Sequence, residues 1–395
     1  EVSKWLPEEE IQIINSGKDE VKFSAITVIN YALLHKKVDD LIHIGPRLCI
    51  IDECHRIKRE KSLRSQATME LASVCKSVLA LSGTAISNRP AEFFNVLNML
   101  RPEQFPSRWD FLQRYAGAYH NGFGWDFTGS SNIRELNERT RDVCIRRLKE
   151  EVLPELPPKI RTFLPVHLSK SHRRPYDIAQ EEWEERINRY YLNGEPLPKG
   201  MMLNMLSDLR HICGKIKVDF AQEWVENYLA QTEKPLVIFV HHRDVLSALR
   251  DRLTDYRVDV ISGDTPGKRR QEIVNDFQKG KLNVLICNTM ATKEGITLTA
   301  ADTVLFIERE WVPADEEQAG DRSHRIGQEA SSVHVIYLSC IGTVDEHFDR
   351  VVEAKRKVVK AVLDGGDIQE RKGLVKELVK RLQQERGWNM KEEEE

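Results

Sequence analysis

The stretch Leu48-Cys-Ile-Ile-Asp-Glu-Cys-His55 decides the architecture. Leu48 to Ile51 form an apolar run, read here as a strand buried inside a sheet. Asp52 and Glu53 follow at once, so two carboxylates sit where the strand leaves the sheet. Open α/β sheets take their ligands at that edge. Working outward, Ala25 to Ile29 and Ser77 to Leu81 read as further buried strands, and Ala91 to Leu100 carries a helical pattern. Alternation of this kind predicts parallel strands with helices on both faces.

The same alternation resumes at Lys234. Leu236–Val240, Val258–Ile261, Asn283–Cys287, Thr303–Ile307 and Val333–Leu338 read as strands. Helices are expected through Leu253 and from Lys268 to Gln278. A last helix is punctuated by Thr343 and Glu346 in a capping-box pattern and by Gly365-Gly366 at its end. Its apolar stripe is Val344, Phe348, Val351, Val352 and Val359. Between the two regions, the prolines of Glu155-Leu-Pro-Pro-Lys159 break the chain. Arg173 to Ile212 is mostly helical, and Met201, Met202 and Met205 read as core or interface rather than as a cofactor box. The expected fold class is therefore α/β with two parallel-sheet lobes and helical insertions. The expected boundaries are a partial first lobe at 1–100, its helical insertion at 101–153, a linker and helical insertion at 154–233, a second lobe at 234–341, its C-terminal helix at 342–366 and a charged tail at 367–395.

Composition narrows the class of protein. The 395 residues carry 31% charged side chains and a net charge of −3. A chain that binds nucleic acid over its whole surface would be more basic, but a confined groove remains compatible. Seven cysteines without a Cys-x-x-Cys pair point to reduced thiols and an intracellular setting. That setting is the nucleus for a eukaryotic protein, and the cytoplasm or nucleoid for a prokaryotic or viral one. Neither Cys54-His55 nor His211 with Cys213 has a matching pair at zinc-module spacing. No run has the length of a membrane span. Residue 1 is Glu, so the chain is expected to be cut from something longer.

Several segments could carry chemistry. Of Asp52 and Glu53, one carboxylate could hold Mg²⁺ through its oxygens and the other could orient or deprotonate water. The bland alternative is an acidic turn opening a helix. Ser82, Gly83 and Thr84, in Leu81-Ser-Gly-Thr-Ala-Ile-Ser-Asn88, could link a nucleotide site to its surroundings, or form a simple strand-to-helix turn. In Thr289-Met-Ala-Thr-Lys-Glu-Gly-Ile-Thr-Leu298, Gly295 allows close backbone approach, and Thr289, Thr292 and Lys293 could meet phosphate oxygens. Gln318-Ala-Gly-Asp-Arg-Ser-His-Arg-Ile-Gly-Gln328 spaces Arg322 and Arg325 three apart on an expected helix, which would place both guanidiniums on one face. The alternative is a salt-bridged surface using Glu316, Glu317 and Asp321.

At these residues the chain resembles the Snf-type branch of superfamily 2, and within it the HARP-type annealing helicases. Asp52-Glu-Cys-His55, Ser82-Gly-Thr-Ala-Ile-Ser-Asn88, Thr299-Ala-Ala-Asp302 and the Gln318–Gln328 stretch are similar to helicase motifs II, III, V and VI. Thr27 to Leu34 resembles motif Ib, and Arg146 to Pro158 the segment joining the lobes. The resemblance implies RecA-like lobes and a DNA-dependent ATPase or translocase using ATP and Mg²⁺. Asp52 would be the metal residue, Glu53 would activate water, and Arg322 and Arg325 would complete the catalytic set. His55, Ser82, Gly83, Thr84, Gly295 and Gln318 would bind nucleotide or couple its hydrolysis to movement. Thr27, Asn30, His241, His242, Ser262, Gly263, Thr289, Thr292 and Lys293 would follow the backbone of duplex or forked DNA. Catalysis would require the carboxylates and the arginines to face one crevice.

One departure stands out. No Gly-x-x-x-x-Gly-Lys-Ser/Thr phosphate loop occurs in the sequence. Gly17-Lys18, Gly214-Lys215 and Gly267-Lys268 are each followed by a residue other than Ser or Thr. The isolated chain is therefore expected to hydrolyse ATP weakly or not at all. A helicase-like module that binds DNA or a partner without turnover is the alternative.

Overall fold

The computed structural model describes residues 6–120, 124–195, 197–198, 200–292 and 295–365. The expected charged tail at 367–395 and Lys293 lie outside the described residues. Among those described, the chain forms two compact units. One contains residues up to Arg146 together with those from Lys357 onward, and the other contains Arg147 to Arg356.

The first unit opens with parallel strands β1 (Ile11–Ile14) and β2 (Ile26–Ile29), Ile11 opposite Ile26. Helix α1 (Tyr31–His43) leads to β3 (Leu48–Ile51), which pairs in parallel with β4 (Ser77–Ala80) across helix α2 (Leu63–Val74). Leu34, Val38 and Leu41 of α1 pack on Ala67 of α2. The strands are less buried than their apolar runs predict, because each pair has only two strands and one covered face. Leu48 is 52% and Ile50 58% exposed. Helices α3 (Phe94–Leu100), α4 (Arg108–Tyr115) and α5 (Ile133–Thr140) follow, with a short antiparallel hairpin of β5 (Tyr119–His120) and β6 (Trp125–Asp126) between α4 and α5. They share one core with the carboxylate segment: Ile51, Cys54 and Ile57 pack with Phe93, Leu97, Phe111 and Leu136. The position of Asp52 and Glu53 is thus fixed by apolar residues on either side of them.

The second unit holds a six-stranded sheet that is parallel throughout, in the order β7-β12-β11-β8-β10-β9. Its strands are β7 (Lys159–Val166), β8 (Leu236–Val240), β9 (Val258–Ile261), β10 (Val284–Asn288), β11 (Thr303–Phe306) and β12 (Val333–Cys340). Every residue of β8 is buried, as a central strand between covering helices requires. Five strands match their expected runs to within two residues. The sixth, β7, falls in the region read as linker and helical insertion, and it pairs with β12 along eight residues.

Helix α6 (Lys149–Val152) precedes β7; α7 (Lys170–Leu192) and α8 (Met201–Gln231) follow it. Met201 and Met205 are buried, as core methionines should be. Helices α9 (Arg243–Arg252), α10 (Gly267–Gln278) and α11 (Pro313–Gly320) connect the strands. Helix α12 (Val344–Asp364) closes the described chain. The division between units passes between Arg146 and Arg147 and again through α12 after Arg356. Ala361 and Val362 belong to the first unit's core, and buried Asn137 donates to the Val362 carbonyl at 2.8 Å.

Candidate functional site

Local geometry around the carboxylates starts with backbone strain. Glu53 has φ 50° and ψ 51°, a left-handed conformation that a side chain with a Cβ adopts rarely. This kink ends β3 and starts a single 3-10 turn, Cys54–Ile57. Two main-chain bonds hold it against β4: Leu81 N–H donates to Ile51 O at 2.8 Å, and Cys54 N–H donates to Leu81 O at 2.9 Å. The Asp52 carbonyl accepts the Tyr31 hydroxyl at 2.7 Å, and its carboxylate accepts Glu53 N–H at 3.0 Å. Asp52 is exposed. An exposed carboxylate at the end of a parallel strand is a suitable oxygen donor for a hard, partly hydrated cation such as Mg²⁺.

Glu53 is joined to the Ser-Gly-Thr turn. Its carboxylate lies 3.2 Å from His55 Nδ1 and accepts the Ser82 hydroxyl at 3.4 Å. His55 Nδ1 and Ser82 Oγ are 3.0 Å apart, and Ser82 Oγ also accepts Thr84 N–H at 3.1 Å. The His55 hydrogen bond holds the Glu53 carboxyl below the usual range, against the opposing effect of partial burial. Ionised Glu53 is therefore a proton acceptor rather than a donor near neutral pH. Gly83 contributes its carbonyl, which accepts from Arg146 at 3.4 Å. Asp52, Glu53, His55, Ser82 and Thr84 thus form one hydrogen-bonded neighbourhood within the first unit, which Gly83 joins only through the chain.

The arginines differ from expectation. Helix α11 ends at Gly320, and Arg322 and Arg325 lie in the turns that follow, so the shared helical face is absent. The helix is capped by Asp321, and the loop after it folds back so that Leu298 N–H donates to Arg322 O at 2.8 Å. Gln328 then ties three segments together, its Nε2 donating to the carbonyls of Thr299, Ala301 and Ser323 at 3.2, 2.9 and 2.9 Å. Arg322 is buried, whereas Arg325 is half-buried. Arg325 donates from Nε to the Asp321 carbonyl at 3.3 Å and from Nη1 to Thr297 Oγ1 at 3.5 Å. Gly295 is exposed, and a Cβ there would meet nothing within 4 Å. Gln318 sits half-buried on α11.

Among the described residues Arg325 makes no ion pair with the neighbouring carboxylates, which serve other cations. Lys149 and Lys159 each reach Asp321 at 2.8 Å, and Lys159 also meets Glu317 at 2.8 Å. Arg161 and Arg356 also bind Glu317. Buried Glu316 accepts from Arg309 Nε at 2.9 Å and Nη2 at 2.6 Å, and from Arg356 at 2.8 Å. Arg309 lies over the rings of Tyr337 and Phe163 at 4.6 and 5.2 Å. These charges fasten α11 to β7, to the segment after β11 and to α12. No sequence motif marked Arg309, and only its pairing in space reveals it.

The expected DNA-track residues divide into several environments. Asn30 caps α1, its Oδ1 accepting Leu33 N–H at 2.9 Å, and Thr27 Oγ1 lies 3.0 Å from Ser24 Oγ. Ser262 and Gly263 form the turn after β9, where Ser262 N–H donates to Thr265 Oγ1 at 3.0 Å. Thr289 departs from its expected role. It is buried, and its hydroxyl lies 3.5 Å from the Val240 carbonyl, so it supports the strand end rather than presenting a hydroxyl outward. Thr292 closes a 3-10 turn.

His241 and His242 follow β8 above a pair of buried acids. Glu308 accepts both main-chain N–H groups at 3.0 and 2.9 Å and binds the His242 ring at 2.5 Å. The Glu310 carboxylate holds His241 Nδ1 at 3.0 Å. His211 stacks on His242 with centroids 4.0 Å apart, and reaches Asp244 at 2.8 Å. The Glu310 hydrogen bond raises the His241 pKa. A raised folded value means the pair contributes stability fully below the ordinary histidine range, and loses it as pH rises through the folded value. Chemical unfolding between pH 6 and 9 should therefore show a fall in stability that His241→Gln removes.

Gly214 on α8 permits this arrangement. A Cβ there would fall 2.4 Å from Glu308 Oε1 and 2.8 Å from its Cδ. Glu308 is fixed by two N–H donors and an imidazole and has little freedom to yield. Gly214→Ala should cost about 1–3 kcal/mol of unfolding free energy, measured by denaturant titration. Near it, Cys213, Cys340 and Asp345 converge within 4.8 Å. The Lys217 ammonium donates to Asp345 at 2.7 Å, so a cation already serves that carboxylate.

One parallel-sheet unit bears the Asp-Glu pair and the other bears the arginine loop. Residues 7–218 match the SNF2-related domain and residues 217–327 the helicase conserved C-terminal domain; the chain belongs to the SNF2-related family. It is 32% identical over 381 residues to the DNA annealing helicase and endonuclease ZRANB3 of Bos taurus, across 92% of this chain and 35% of that protein. It is 33% identical over 366 residues to the SWI/SNF-related matrix-associated actin-dependent regulator of chromatin subfamily A-like protein 1 of Xenopus tropicalis, across 90% of this chain and 38% of that protein. The chain therefore spans little more than a third of the length of these relatives. Among solved structures, the Sulfolobus solfataricus SWI2/SNF2 ATPase core in complex with dsDNA covers 97% of this chain and 82% of that one, at 23% identity and a TM-score of 0.45.

Proposed function

We propose that this chain is the motor portion of a DNA-dependent ATPase that moves along duplex or forked DNA, an activity of the annealing-helicase kind. The observation that carries this reading is the bonded group of Glu53, His55 and Ser82, which joins an ionised base to the turn that follows β4. That group gives one side chain both a chemical task and a mechanical connection.

In this reading Glu53, held ionised by its hydrogen bond with His55, accepts the proton of the attacking water. Asp52 would hold Mg²⁺, which would supply charge neutralisation on the phosphates. Arg322 and Arg325 stabilise the negative charge that develops during phosphoryl transfer. His55 and Ser82 relay a change at Glu53 to Thr84. Gly295 and Gln318 complete the nucleotide-responsive segments. Thr27, Asn30, His241, His242, Ser262, Gly263, Thr292 and Lys293 lie along the DNA backbone. Thr289 acts there only through the main chain it supports. The nucleus is the corresponding compartment if the source is eukaryotic.

The phosphate loop is missing from these 395 residues, so the test compares two forms of the protein. ATP turnover is measured with and without forked DNA, on this chain and on a version extended upstream of residue 1. The extended form should turn over ATP and be stimulated by DNA, while this chain alone should be far slower. An extended form that carries a phosphate loop, binds DNA and still shows no turnover would instead support the binding-module reading.

A further inference from the structure

A group of aromatic rings on the helical elaboration of the first unit takes no part in the nucleotide site. Trp109 at the start of α4 is 44% exposed, and Trp125 of β6 is 46% exposed. Their ring centroids are 5.1 Å apart and their planes meet at 87°. Phe127 lies 5.7 Å from Trp109 and stacks on Trp125 at 6.4 Å. The exposed His120 ring lies 5.9 Å from Trp125. Large aromatic faces left in water together mark a surface that meets something.

Asp110 and Asp126 adjoin the two tryptophans, and Asp126 accepts from Tyr119 and Thr128. The segment joined to the rings through an ion pair is nevertheless basic, and its charge indicates what the surface meets. The segment from Arg56 to Arg64 carries exposed Arg56, Arg59, Lys61 and Arg64, and a single acid, Glu60. Glu60 pairs with Arg108 at 3.4 Å, and Arg108 immediately precedes Trp109. This ion pair ties the basic segment to the aromatic group. Among the described residues, Arg56, Arg59 and Lys61 enter no ion pair, so their charge is available to a polyanion.

We propose that this surface binds single-stranded nucleic acid, with unpaired bases stacking on Trp109 and Trp125 and phosphates meeting Arg59 and Lys61. A partner must offer both negative charge and flat π-faces. A single strand offers both, whereas a duplex keeps its base faces inside the stack. Its aromatic residues are not among those assigned to the backbone track, and the proposal rests on the DNA reading only for the choice of polyanion. Forked DNA contains both structures, so a motor with this surface could hold the unpaired arm while its other residues engage the duplex.

The test uses the 395-residue chain with a fluorescent oligo(dT) 20-mer and a duplex of equal length. Trp109→Ala/Trp125→Ala should weaken oligo(dT) binding at least tenfold and duplex binding less than threefold. Arg59→Glu/Lys61→Glu should weaken oligo(dT) binding and flatten its salt dependence. Near-UV circular dichroism and thermal melting confirm that each variant is folded, and Trp109→Phe/Trp125→Phe, which keeps a stacking face, should recover most of the affinity. Unchanged oligo(dT) affinity in the folded alanine variant would overturn the proposal, as would equal weakening for both DNAs. So would a protein partner whose binding the alanine variant loses while oligo(dT) binding persists. Duplex binding without oligo(dT) binding sinks this proposal and leaves the motor reading standing. Absence of binding to either DNA sinks both.

Discussion

Replacing Arg325 with alanine should lower DNA-stimulated ATP turnover by about 10³-fold or more, within the range known for arginines that stabilise phosphoryl transfer. The structure makes Arg325 the cleaner probe of the two arginines. Arg322 is almost fully buried, and its loss would disturb the loop that contains it. Arg325 makes two long hydrogen bonds, to the Asp321 carbonyl at 3.3 Å and to Thr297 Oγ1 at 3.5 Å, and the nearby acids are engaged elsewhere. Its removal should leave the fold intact. The measurement is single-turnover hydrolysis in the upstream-extended protein, accompanied by a thermal melt. Turnover within threefold of the parent would remove Arg325 from the catalytic set.

The second large effect concerns stability. Glu316→Ala should destabilise the chain by about 3–5 kcal/mol, because it leaves buried Arg309 without its bidentate partner. Arg309 is 3% exposed, and Glu316 also accepts Glu310 N–H at 3.0 Å. Asp349 and Glu353 remain at 3.3 and 2.8 Å from Arg309 and soften the loss. Glu316→Gln preserves shape and some hydrogen bonding, and should fall between the parent and the alanine variant. Equilibrium unfolding in urea, read by both tryptophan fluorescence and far-UV circular dichroism, separates this from a change confined to the loop. A loss below 1 kcal/mol would mean that the pair contributes little beyond its own desolvation.

How far the sequence discloses this structure depends on the kind of signal each element leaves. The central strands were legible because residues such as Leu236 to Val240 are apolar without interruption, and burial on both faces demands that. Strand β7 was not, because Lys-Ile-Arg-Thr-Phe-Leu-Pro-Val is an edge strand with mostly exposed side chains and a proline near its end. Asp52 and Glu53 were placed correctly at a strand end, since that follows from the adjacent apolar run. The loop holding Arg322 and Arg325 does not continue α11 as expected, because no proline or left-handed glycine marks in the sequence where that helix stops. The burial of Thr289, and the pairing of Arg309 with a glutamate seven positions away, depend on tertiary packing that no local pattern encodes.

The left-handed backbone at Glu53 has an implication for anyone improving this protein. Glycine would relax that kink at no steric penalty and would delete the carboxylate in the same stroke. A variant library sorted by heat tolerance alone would be drawn toward Glu53→Gly and would retain hardy molecules that lack the proposed base. Position 53 should be held constant in such a search, or every round should include a turnover assay.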